Sequence, residues 1–165
     1  HPPGGSRLDR ARKAQCGARS RNIGQAEALM ATPENTFIGS VHRHLPAQLY
    51  HMKNHNQYNG GIADVWYSGT RADLWVEYKF IVLPKRDETV IDITAGKTPM
   101  LSSLQQDWIQ GRVSEGRNVG VIIGCKEGGV WLPSLAWDNP LKTAEFKNRL
   151  QSRSELAAVI LGLIQ

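Results

Sequence analysis

The run DLWVEYKF (residues 73–80) places two charges on what otherwise reads as a strand. Val76, Tyr78 and Phe80, continued by Val82, alternate as an apolar face, and Glu77 and Lys79 stand between them. Residues two apart on a strand point to one side, roughly 7 Å from each other. The carboxylate and the ammonium therefore look into one space, shared with Trp75 and Ile81. Taken alone, such a triplet also describes the solvated face of a half-exposed strand. Asp64 opens the preceding apolar run, and the Ser68-Gly69-Thr70 turn between the two runs would bring Asp64 beside Glu77. Two converging carboxylates repel and raise each other's pKa. A divalent cation removes that conflict, and hard oxygen ligands with room for water suit Mg²⁺ or Mn²⁺. The plainer reading of Asp64 is a strand start after Gly60-Gly61.

Two further polar residues sit where apolar ones are expected. Thr32-Pro33-Glu34 opens a helix, with Thr as N-cap and Pro at the first helical position. At helical spacing Ile38, Val41 and Leu45 fall within about 40° of Glu34. Its carboxylate thus belongs to the core-facing stripe, although a first-turn Glu also favours the helix dipole. On a second helix, over about 99–115, Leu101, Leu104, Trp108 and Ile109 surround Gln105. An amide central in an apolar stripe needs hydrogen-bond partners. Either a site carboxylate or the backbone would supply them.

The polar stretch from His42, Arg43 and His44 to His51, Lys53 and His55 has no cysteines and is poor company for zinc. It reads either as a strip contacting phosphate, with Tyr50 and Tyr58 available to stack on bases, or as a solvated loop.

The elements that must position these groups follow from the apolar pattern. Strands are expected over 62–67, 74–83 and 90–93, joined as a meander. The 99–115 helix, closed by Glu115-Gly116, crosses to a buried strand at Val119–Cys125. A short strand follows Gly128-Gly129. The C-terminus, about 141–164, is helical with a break near Ser152. The whole is an α/β layout with a mixed sheet.

Composition bounds the rest. The 165 residues fit one domain with a real core. The net charge of +5 hints at an acidic partner such as nucleic acid, but most of it is in residues 1–30, where six cations face two acids. The other 135 residues carry 14 cations and 13 acids, so a basic surface there must come from segregation. Residues 1–29 lack the apolar core of a secretory signal and read as a basic leader, disordered, non-native or dispensable, with a transit peptide or a DNA-contacting arm as the alternatives. The domain proper is expected over 30–165. Cys16 and Cys125 form neither a disulfide framework nor a metal motif, which fits a reducing, cytoplasmic setting. No apolar run approaches the roughly 20 residues of a membrane span.

The order Glu34, Asp64, Glu77-Tyr78-Lys79, Gln105 resembles the PD-(D/E)xK nuclease superfamily. Within it, GIADVWYSG, DLWVEYKF and LSSLQQDWIQGRVSEGRNVGVIIG are most similar to the VRR-Nuc and Holliday-junction-resolvase-like branch. Small phage-encoded proteins of this type are similar across residues 30–130. Ala63 stands where the family usually has Pro, a residue that shapes backbone and binds no metal. The resemblance implies a restriction-endonuclease-like αβββαβ core with a central mixed sheet flanked by helices. It implies Mg²⁺ or Mn²⁺ held by Asp64 and Glu77 and completed by Glu34. It gives Lys79 the attacking water and the phosphate charge, and Gln105 a supporting role. DNA is the implied partner. A homodimer would be needed for branched substrates, and Trp131, Trp137 and the apolar C-terminal helix either supply its interface or belong to the core. The expected activity is metal-dependent DNA endonuclease. The competing expectations are a catalytically silent DNA-binding protein of the same fold and an unrelated α/β domain.

Overall fold

The computed structural model describes residues 32–55 and 60–165. The basic leader, Cys16, residues 30 and 31 and Tyr58 lie outside the described residues. Helix α1 (Pro33–His42) begins as its sequence dictates, with Thr32 Oγ1 accepting from Asn35 N at 3.1 Å and Pro33 in the first turn. Strands β1 (Tyr50–Lys53), β2 (Val65–Ser68) and β3 (Asp73–Phe80) form an antiparallel meander. The short β4 (Val90–Ile91) precedes α2 (Ser103–Ser114), which crosses to β5 (Val119–Cys125), parallel to β3. An antiparallel β6 (Gly128–Pro133) closes the sheet, whose order is β1-β2-β3-β5-β6. A 3₁₀ turn (Ala136–Asp138), β7 (Leu141–Lys142), α3 (Thr143–Asn148) and α4 (Arg153–Ile164) complete the described chain.

The αβββαβ order on a mixed sheet flanked by helices is thus as expected, but one strand differs. The run at 90–93 does not extend the meander. Val90–Ile91 pairs with Leu141–Lys142 in a separate two-stranded sheet. The third meander strand is β1, in the stretch read as polar connection. Its side chains are mostly exposed, so no alternation of apolar residues marks it. An edge strand held by backbone bonds leaves little hydrophobic signature.

The central strand β5 is buried along its whole length, as its unbroken apolar run requires. Two cores follow, one on each sheet face. Val65, Tyr67, Val76, Tyr78 and Ile122 face α1 and α4. Val121, Ile123, Val130 and Leu132 face the side of Leu101, Ile109, Trp137 and Phe146. Gly124 and Gly129 leave the room that the Phe37 ring of α1 occupies, and a Cβ at either would meet it. Helix α4 starts at the expected break with a Ser152–Glu155 capping box. Its Leu156, Ala157, Ile160 and Ile164 are core, and so is Trp137. Those residues are therefore not an open dimer surface. Trp131 packs, partly buried, against the first core.

Candidate active site

The β2–β3 register pairs Val65 with Val76. One step further along the two strands, Asp64 stands opposite Glu77. Asp64 Oδ2 accepts from the backbone N of Tyr78 at 2.9 Å, so β3 itself holds this carboxylate. Glu77 is wholly buried, and its Oε1 accepts from Lys79 Nζ at 2.8 Å and from Gln105 Nε2 at 2.5 Å. Its Oε2 is buried with no hydrogen-bond partner among the described residues.

Gln105 reaches Glu77 because α2 begins with a capping box. Ser102 Oγ accepts from Gln105 N, and Gln105 Oε1 accepts from Ser102 N at 3.0 Å. One end of the amide is fixed by backbone and the other faces the carboxylate. The two partners foreseen for this residue are both present.

Helix α1 packs against the opposite sheet face, through Phe37 on Tyr78 and Phe80. Its first turn nevertheless brings Glu34, half-buried, within electrostatic reach of Asp64, Lys79 and Lys53. Lys53 Nζ donates to Asn35 Oδ1 on the same helix.

The electrostatics describe acids short of positive charge. Burial pushes the Glu77 carboxyl up to about 8, and the Asp64 and Glu34 charges add to this against the opposing pull of Lys79. Burial also raises Asp64, despite the Tyr78 N–H, the Lys79 and Lys53 charges and the Glu77 carboxyl, which can donate to it when protonated. Glu34 is raised by burial and then by Asp64.

Among the described residues, no group of three or more His, Cys, Asp or Glu side chains is arranged as a metal site. The donor chemistry still fits a hard divalent cation. Mg²⁺ is commonly held by one or two carboxylates plus waters and substrate phosphate rather than by an all-protein cage. The unpartnered Glu77 Oε2, with Asp64 opposite, offers such a pair.

The basic residues singled out in the sequence differ in their surroundings. His42 is half-buried, with Nε2 2.7 Å from Tyr67 Oη and its ring against His51. Burial, then His51 and Lys53, bring its pKa down to about 4, so it is neutral at physiological pH. Tyr67 Oη in turn lies 2.6 Å from Tyr78 Oη, both hydroxyls being held above their usual pKa mainly by burial. Arg43 and His44 are exposed at the end of α1, and His55 is exposed beyond β1. The His42–Tyr67–Tyr78 chain was not legible beforehand, because tyrosines on an apolar strand face read as packing alone.

No family model matches the chain, and no curated protein does. Among solved structures, the chain is similar to Hjc, a Holliday junction resolvase from the archaeal hyperthermophile Archaeoglobus fulgidus. The identity is 12%, the match covers 75% of this chain and 99% of that one, and the TM-score is 0.44. No described helix is long and apolar enough to cross a membrane.

Proposed function

We propose that this chain is a divalent-metal-dependent endonuclease that hydrolyses DNA phosphodiester bonds, of the PD-(D/E)xK kind and its VRR-Nuc and resolvase-like branch. One observation carries the reading. Glu77 is buried with one oxygen shared by Lys79 and Gln105, the other oxygen unpartnered, and Asp64 opposite. A buried carboxylate with one oxygen left unsatisfied is costly and is retained most readily where a cation completes it.

In this reading Asp64 and Glu77, with Glu34 nearby, hold Mg²⁺ or Mn²⁺. When bound, the ion supplies water activation and neutralisation of phosphate charge. Lys79 offsets phosphate charge and positions the attacking water. Gln105 fixes the Glu77 oxygen that faces it and so leaves Oε2 for the ion. A second reading, a DNA-binding protein that keeps the fold without turnover, is favoured by the near-neutral charge of residues 31–165.

The test is cleavage of linear, nicked, flapped and four-way DNA with Mg²⁺ or Mn²⁺, comparing wild type with Glu77→Ala and Lys79→Ala. Cleavage lost in both variants supports the enzyme. Binding without cutting under every ion supports the silent protein.

A further inference from the structure

An aromatic row runs across the same sheet face as Glu77 and Lys79. Tyr50 on β1 meets Trp66 on β2 at 5.6 Å between ring centroids. Trp66 meets Trp75 on β3 at 6.1 Å, and Trp75 meets Trp108 on α2 at 5.3 Å. Arg112 lies over the Trp108 ring at 5.6 Å. Trp75 is two residues from Glu77 and Trp66 two from Asp64, so the row lies beside the candidate active site, one strand step away. Its outer end is open: Tyr50 is 60% exposed and Met52, beside it, 46%. Its inner end borders a cleft of about 420 Å³ lined by Trp75, Arg112, Arg117 and Asn118 with Asp73 and Glu115.

We propose that the open Tyr50–Trp66 end of this row, backed by Trp75 and Trp108 packed against the second core, is a platform on which unpaired DNA bases stack, so that the substrate carries a single-stranded stretch beside the scissile phosphate. The inference rests on the nuclease reading for its substrate and on the rings for its form. Ring faces accept any base. Tyr50 and Trp66 meet edge to face at 77°, so their ring faces are oriented separately, which suits unpaired bases rather than a stacked duplex. Continuity with the carboxylates favours this occupant over a second copy of the chain. An interface between copies has no need to adjoin a phosphodiester site.

The test is binding in chelator, where no cutting occurs. Anisotropy of a short labelled oligothymidine is compared with that of a duplex of equal length, for wild type, Tyr50→Ala, Trp66→Ala and Trp66→Phe. Each alanine variant should weaken single-strand binding roughly five- to hundredfold. Duplex binding and the salt slope should stay nearly unchanged, and Trp66→Phe should recover most of the loss. Tyr50→Ala alters an exposed edge position, so it reports even if the Trp66 variants fold poorly. Equal single-strand binding in wild type and Tyr50→Ala, or a wild-type preference for duplex, overturns the proposal. So does a loss of dimer mass in Tyr50→Ala with DNA affinity intact, which assigns the face to a second copy. If single-strand binding behaves as expected but no divalent ion produces cutting, the platform stands and the nuclease reading falls.

Discussion

Replacing Glu77 by Gln should make the metal-free protein more stable at alkaline pH while removing its response to metal. The introduced amide oxygen can still accept from Lys79 and Gln105, but no proton is gained or lost. In the wild type the carboxyl titrates near 8 in the fold against an ordinary 4.5. Between those values the folded state holds more protons than the unfolded one, so stability falls as pH rises. The full effect is on the order of 5 kcal/mol. His42 works in the opposite sense. It is held at about 4 against 6.5 in the fold, so its contribution grows as pH rises through that interval. Up to pH 6.5 the two oppose each other, while the raised Asp64 and Glu34 carboxyls act in the same sense as Glu77. About 2 kcal/mol should be lost between pH 6.5 and 8 in wild type and little of it in Glu77→Gln. Urea unfolding in chelator at a series of pH values measures this. Adding Mg²⁺ should stabilise wild type more at pH 8 than at pH 6, because the ion competes with the proton. It should leave Glu77→Gln nearly unmoved. Parallel pH profiles for the two proteins in chelator would refute the reasoning, since the buried carboxylate would then not hold its proton in the fold.

Other outcomes follow from the same contacts. Lys79→Met should lower DNA cleavage by about a hundredfold or more in a Mg²⁺ assay, since a preorganised charge beside the phosphate is lost. Gln105→Met removes the side-chain half of the capping box and the donor to Glu77, and should cost about 1–2 kcal/mol in urea unfolding and weaken Mg²⁺ binding by calorimetry. Tyr67→Phe strips the hydroxyl shared by His42 and Tyr78, and should destabilise by about 1–3 kcal/mol while cleavage per folded molecule is retained. Ser152→Ala should cost about 1 kcal/mol through the α4 cap, with no effect on metal binding.

The sequence alone determined the features that depend on neighbours along the chain. Thr32-Pro33 and Ser152 mark helix starts because capping is local. The Val119–Cys125 run declares a buried strand by its continuous apolar character. The i, i+2 spacing of Glu77 and Lys79 put both on one face, and their 2.8 Å contact bears that out. The wheel position of Gln105 required a polar partner, which proved to be Glu77.

Tertiary structure decided what depends on pairing between distant segments. Nothing in Tyr50–Lys53 itself declares a strand. It becomes one because β2 offers a free edge, and its exposed side chains carry no burial pattern. Val90–Ile91 has strand-like residues, yet it pairs with Leu141–Lys142, a segment remote in sequence. The helical spacing put Glu34 on the core-facing stripe, but its helix packs on the sheet face opposite Glu77 and only its first turn reaches the site. The aromatic row joins four residues from four elements. Its members become neighbours only when β1, β2, β3 and α2 fall into register. The reason is physical: caps, turns and periodicity are fixed by contacts a few residues apart, whereas register and facing are set by side chains that meet only in the fold.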